Sequence, residues 1–287
     1  GLFVSRDGGA TWKKLQQEDG MPKGPLGRIG VAVCRSRPEV VYALVEAEKS
    51  ALLRSEDGGR TFATVNDTPN VAPRPFYYAD LRVDPEWPNR VYSLDYDVRV
   101  SDDGGKTFAR LPGCSQGHGD YHAMWIDPRD PDHLLLGDDG GMRESRDRGR
   151  TMRFVTTLPL AQFYHIAVDD QRPYRVMGGM QDNGSWRGPS AVWSQGGIRS
   201  HEWSMVGYGD GYDVQPDPFD QETGYAMWQG GNLLRWDARA GTQRPVKPPQ
   251  GDGPRLRFNW NTGLALDPFV PGTIYYGSQF VHRSTDR

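Results

Sequence analysis

One eight-residue pattern, repeated at nearly constant spacing, limits what this 287-residue chain can become. Ser5-Arg6-Asp7-Gly8-Gly9-Ala10-Thr11-Trp12 returns as Ser55-Glu56-Asp57-Gly58-Gly59-Arg60-Thr61-Phe62 and again as Ser101-Asp102-Asp103-Gly104-Gly105-Lys106-Thr107-Phe108. A fourth copy, Ser145-Arg146-Asp147-Arg148-Gly149-Arg150-Thr151-Met152, varies it, and Ser284-Thr285-Asp286-Arg287 begins a fifth. The serines of the first four copies are 50, 46 and 44 residues apart. Short apolar strands flank the pattern, as Leu52-Leu53-Arg54 and Phe62-Ala63-Thr64-Val65 do, so it reads as a hairpin turn. Ser and Asp side chains hold nearby backbone N–H groups, Gly supplies positive φ, and the aromatic residue tucks under the turn. A turn present in every repeat is structural, because chemistry needs one site and not one per repeat.

A second marker runs in phase with the first. Asp84-Pro85, Asp127-Pro128, Asp217-Pro218 and Asp267-Pro268 each end an apolar strand, with degenerate copies at Cys34-Arg35 and Asp169-Asp170. The repeating unit is therefore strand A, Asp-Pro turn, strand B, strand C, Asp box, strand D. Four strands every 45 or so residues predict an all-β chain, a β-propeller of four-stranded blades. Seven blade positions are touched, which points to a seven-bladed ring, with an open arc of a larger propeller as the alternative, within one domain over 1–287: a remnant at 1–20, blades near 27–68, 74–112, 118–158, 161–203 and 207–245, and a partial blade at 257–287. Degenerate box regions are expected at Met180-Gln181-Asp182-Asn183-Gly184 and Leu234-Arg235-Trp236-Asp237. The chain starts inside a repeat and without Met, so it is expected to be a fragment, with incomplete first and last blades and any signal peptide upstream of Gly1.

Composition narrows the function classes. Thirty-six Gly and 22 Pro suit many tight turns. A formal net charge of -3 gives no electrostatic footprint for nucleic acid. No apolar run approaches the length of a membrane span, in keeping with a mean hydropathy of -0.70. Cys34 and Cys114 are too distant in sequence to be read as a disulfide or a metal pair, and small buried side chains are the simpler reading. No cofactor or resident metal is expected, and oligomeric state is not legible.

Beyond the boxes, four runs complete a likeness: Arg74-Pro75-Phe76-Tyr77-Tyr78, Gly119-Asp120-Tyr121-His122-Ala123-Met124-Trp125-Ile126-Asp127-Pro128, Ala161-Gln162-Phe163-Tyr164-His165 and Gly179-Met180-Gln181-Asp182-Asn183-Gly184-Ser185-Trp186. The chain resembles the bacterial Asp-box (BNR-repeat) propeller proteins described as sortilin-like or as glycosyl hydrolases. That resemblance implies an extracellular or periplasmic protein whose relatives are sialidases and two-propeller xyloglucan hydrolases on one side and peptide-binding sortilin-type receptors on the other. Asp boxes occur in all of these and identify fold, not chemistry. The sialidase likeness implies an arginine triad, a tyrosine nucleophile and an acid, of which the sequence pattern assigns no triad positions, and xyloglucan hydrolases divide their acids between two propellers.

The two markers set a phase in which the A strands can be aligned. Seven residues before the turn Asp the ring reads Gly27, Tyr77, Asp120, Gln162, Asp210, Trp260; four before, it reads Gly30, Asp80, Ala123, His165, Asp213, Gly263; three before, it reads Val31, Leu81, Met124, Ile166, Val214, Leu264. The strands are polar early and apolar late, which puts a polar, aromatic mouth at their starts. Asp120 and Asp210 share a register and form the candidate carboxylate pair for glycoside hydrolysis; the structural alternative has both accepting backbone N–H groups at the Gly119 and Gly209/Gly211 bends. Tyr77, Tyr78, Tyr164 and Trp260 are flat amphipathic surfaces suited to a sugar or a peptide. His122, His165, Asp213, Asn261 and the amide-rich Gln181, Asp182 and Asn183 supply hydrogen bonds. Asp120 and His122, two apart on one strand, share a face with His118 just upstream, an acid-base or metal arrangement without specific metal spacing. The expected ligand is a glycan or a peptide at this mouth.

Overall fold

A computed structural model describes residues 1–78, 80–158 and 160–287. The described residues form seven antiparallel sheets, and the chain is a β-propeller of Asp-box blades. Sheet 1 pairs only Phe3–Val4 with Lys13–Lys14. Sheets 2 to 6 are four-stranded meanders in chain order, and sheet 7 has three strands. Their innermost strands are Ile29–Val33, Asp80–Val83, Tyr121–Asp127, Phe163–Val168, Gly211–Asp217 and Leu264–Leu266. The chain divides into two compact units, 1–158 with sheets 1 to 4 and 159–287 with sheets 5 to 7.

Within each unit, neighbouring sheets enclose one apolar layer. In the first unit Cys34, Tyr42, Leu44, Leu81 and Val91 fill the space between sheets 2 and 3, and Tyr92, Leu94, Tyr121, Met124 and Leu136 that between sheets 3 and 4. In the second, Met177, Val214, Ala226 and Trp236 join sheets 5 and 6, and Tyr212, Tyr225, Ile274 and Tyr276 join sheets 6 and 7. Strands buried on both faces explain why Val41–Val45 carries no polar alternation: all five residues are buried. Both cysteines are buried and unpaired. Among the described residues no helix is long and apolar enough to cross a membrane.

The boxes close as their sequence implies. In the first, the Ser5 hydroxyl donates to Asp7 Oδ1 and accepts from Gly9 N, while Asp7 accepts from the backbone and hydroxyl of Thr11 at 2.9 and 2.6 Å. The same bonds recur around Asp57, Asp103 and Asp147. In the varied copy Arg148 takes the left-handed conformation, φ 56°, that Gly8, Gly58 and Gly104 take elsewhere. Its guanidinium lies 3.5 Å from Asp84 and 3.2 Å from Asp132, ion pairs that a glycine would lack. The Asp-Pro markers are Asx turns: Asp84, Asp127, Asp217 and Asp267 each accept from the N–H two residues on.

The Thr107 hydroxyl and N–H hold the Asp103 carboxyl down at about 2, well below the usual carboxylate range. A depressed carboxylate stabilises above its unfolded value, and that contribution fades as pH falls through the folded value. Asp103→Asn should therefore lower the urea midpoint at neutral pH, and the gap to wild type should close between pH ~4 and ~2. A gap that stays constant over that window would count against the box carboxylates as charged acceptors.

One expectation needs correction, and the apolar positions of equal register differ among themselves. The register of equivalent apolar positions holds, but their burial differs: Leu81, Met124 and Val214 are buried, whereas Val31 and Ile166 are exposed. Sheet 1 has only two strands, and its Val4, with Leu15 just beyond, joins the apolar cluster of Val41, Ala43 and Leu53 on sheet 2, which does not include Val31. Gln181-Asp182-Asn183 does not occupy a box position. Boxes join the third and fourth strands, whereas this turn joins Arg175–Met180 to Gly184–Pro189, the second and third. The true box slot of sheet 5 is the irregular stretch before Ser204–Gly207. The misplaced turn consequently lies beside the inner-strand start, since Phe163 pairs with Met180.

Candidate functional site

In sheets 2 to 7 the inner-strand starts and the second-to-third-strand turns share one end, and chemistry-bearing side chains gather there in each unit. In the second unit Gly209 and Gly211 flank Asp210, which is 8% exposed. Its backbone N–H donates to the Gln229 side chain at 2.7 Å. Its carboxylate accepts from Asp182 N at 2.9 Å and from the Trp260 indole N–H at 2.9 Å. Asp210 is thus a brace, with both oxygens occupied. It fixes the turn on sheet 5 and holds the Trp260 ring, itself 62% exposed, against solvent. The acceptor role expected from the flanking glycines is filled, by donors from neighbouring sheets and not from the bend.

Three inner segments meet at His165. Its Nδ1 lies 2.5 Å from Asp213 Oδ1, and Asn261 Nδ2 lies 3.3 Å from its Nε2. A proton on Nδ1 satisfies both contacts, with Nε2 accepting from the Asn261 amide. This network does not use the Asn261 carbonyl oxygen. Tyr164 stacks on Tyr212 with ring centres 4.7 Å apart. Burial, and then the phenol of Tyr164 and the carboxylate of Asp210, push the Tyr212 hydroxyl up to about 12, so it stays protonated. Gln181 and Asn183 close their own turn: Asn183 Nδ2 donates to Gln181 O, and Asn183 O accepts from the Trp186 indole. Tyr164, His165, Gln181, Asp182, Asn183, Asp210, Asp213, Trp260 and Asn261 therefore all belong to this end of the second unit.

The first unit brings together Tyr77, Tyr78, Asp120 and His122. The His122 ring stacks on Tyr78 at 5.3 Å and meets Tyr77 edge-on at 5.5 Å. The Arg74 guanidinium lies 5.1 Å from the Tyr77 ring centre. Asp120 stands just before its strand with φ 56°, outside the extended alternation, and the ion pair of His122 is with Asp139 at 3.3 Å. The face shared by Asp120 and His122 is therefore not formed by strand periodicity. Burial, then the charge of Asp139, raise the Asp120 carboxyl above its usual value, with Arg74 and His122 opposing. Among the described residues no three His, Cys, Asp or Glu side chains are grouped to hold a metal ion.

Sequence reading missed Asp139, Arg74 and Gln229. Asp139 and Gln229 sit in second-to-third-strand turns, which carry no repeated motif; the signal available was position, since those turns border the strand starts.

Sheets, boxes and strand-start clusters together define an Asp-box β-propeller chain. Residues 3–14 match the model of the BNR/Asp-box repeat. No curated protein matches the sequence. Among solved structures, the chain is similar to a GH74 xyloglucanase from Xanthomonas campestris at 18% identity, covering 89% of this chain and 44% of that one, with a TM-score of 0.36. It is also similar to a GH74 enzyme of Niastella koreensis at 16% identity, 86% and 33% coverage and a TM-score of 0.40. A third similar structure is YCF48 from Cyanidioschyzon merolae, at 15% identity, 96% and 84% coverage and a TM-score of 0.38. The chain thus spans less than half the length of either GH74 enzyme.

Proposed function

We propose that this chain binds a glycan at the strand-start end of the second unit, as part of an extracellular or periplasmic protein. The supporting observation is the Trp260 ring, largely exposed yet fixed by its bond to buried Asp210. An anchored flat ring offers a sugar face apolar contact at little entropic cost, and His165 and Asn261 stand beside it as hydrogen-bonding groups. Calorimetric titration of the chain with a panel of neutral and acidic oligosaccharides tests this. Saturable binding to at least one, competed by no peptide library, is expected; peptide binding with no glycan binding would overturn it in favour of a receptor or scaffold.

A second reading, glycoside hydrolysis, has its own observation in the first unit. Asp120 has a raised carboxyl beside a second carboxylate, Asp139, which suits a proton donor paired with a charged partner. Reducing ends released from a polysaccharide should then disappear in Asp120→Asn, a loss of at least about 100-fold, while the urea midpoint and glycan affinity stay unchanged. Equal release by both proteins would remove Asp120 from the chemistry.

A further inference from the structure

Between the outermost strand of sheet 6, Thr242–Pro245, and the inner strand of sheet 7 runs an extended crossing that borders the Trp260 site. It folds around its own side chains. Gln250 Oε1 accepts from Leu256 N at 2.9 Å and its Nε2 donates to Gly251 O at 2.9 Å. Gln279, in the turn between the second and third strands of sheet 7, holds Arg257 N at 2.7 Å and Arg255 O at 2.8 Å. The result is an open groove lined by Lys247, Pro248, Gln250, Arg255, Leu256 and Phe258, among others. Leu256 and Phe258 point inward in alternation with exposed Arg255 and Arg257.

The groove and the Trp260 backbone are linked through Gly230. Lys247 Nζ donates to Gly230 O at 3.0 Å and sits 4.6 Å over the Phe258 ring, and Gly230 N donates to Trp260 O at 3.2 Å. From 244 to 257 the chain carries Arg244, Lys247, Arg255 and Arg257 against Asp252, a local excess of positive charge in a chain of net charge -3. Among the described residues none of these four cations is in an ion pair, whereas Arg239 just upstream is paired with Asp220. Unpaired cations beside an apolar floor favour a ligand that is both anionic and amphipathic.

We propose that the glycan bound at Trp260 is acidic, a uronate-bearing oligosaccharide whose carboxylates lie over Lys247 and Arg255 while a sugar face stacks on Trp260. This rests on the glycan reading and names its ligand class. A sugar acid suits the flat Trp260 ring and the hydrogen-bonding Asn261 and His165 near it, and an acidic peptide is the competitor the test includes.

The test uses the full chain with galacturonate and guluronate hexamers, their carboxyl-reduced neutral counterparts, and a glutamate hexapeptide. At low salt one acidic hexamer should bind about tenfold tighter than its reduced form, a gap that narrows as salt rises. Arg255→Gln, which leaves the Lys247 contacts with Gly230 O and the Phe258 ring in place, should narrow the gap to about threefold or less without weakening the reduced form. Equal binding of acidic and reduced hexamers would overturn the acidic ligand but leave glycan binding standing. No binding of any hexamer would overturn both, and tighter binding of the glutamate peptide would replace the sugar acid by an acidic peptide.

Discussion

Trp260→Ala should weaken oligosaccharide binding about 30-fold or more, equivalent to about 2 kcal/mol, the scale of a central aromatic anchor. The change removes the ring a sugar would stack on, and it strips Asp210 Oδ2 of its indole donor at a site only 8% exposed. Trp260→Phe separates the two effects. It keeps an aromatic face but not the N–H, so it should retain partial affinity. Titration calorimetry on the three proteins reads the series directly; full affinity in Trp260→Ala would place the ligand elsewhere.

Gly179→Ala should cost about 3 kcal/mol and impair ligand binding with it. A Cβ at Gly179 would stand 2.1 Å from the carbonyl carbon of Gly211 and 2.4 Å from Tyr212 N, backbone atoms of the next sheet that no rotamer change can move away. Sheets 5 and 6 would have to part where Asp210, Tyr212 and Asp213 are positioned. Gly251→Ala is the control: nothing lies within 4 Å of its added carbon, and its effect should stay within about 0.5 kcal/mol. Urea unfolding of both variants distinguishes close backbone approach from a general intolerance of alanine.

Legibility in the sequence tracked the range of the interactions. The boxes and Asp-Pro turns were readable because their bonds join residues two to four apart, such as Thr11 to Asp7 and Phe269 to Asp267. The phase they set also found His165, Asp213 and Trp260, since equal register along inner strands carries into space. What failed was non-local. The Asp182-Asn183-Gly184 turn looks like a decayed box, and only the pairing of Met180 with Gly184 shows that it joins different strands. Val31 and Leu81 occupy equal registers with opposite burial because different neighbours cover them. Asp139 could not be assigned before its turn was known to border His122.

The two acids of equal register, Asp120 and Asp210, stand in different surroundings. Asp210 accepts one bond on each oxygen, from Asp182 N and the Trp260 indole, which suits support of the Trp260 ring. Asp120 instead has its carboxyl raised by burial and by the charge of Asp139.

The most direct test follows the indole N–H signals of the nine tryptophans in a proton–nitrogen correlation spectrum, with Trp260 assigned by its loss in Trp260→Phe. During titration with galacturonate hexamer and its carboxyl-reduced form, the Trp260 signal should shift the most, in step with saturation. A Trp260 signal that stays fixed at saturating ligand would contradict a glycan site built on that ring.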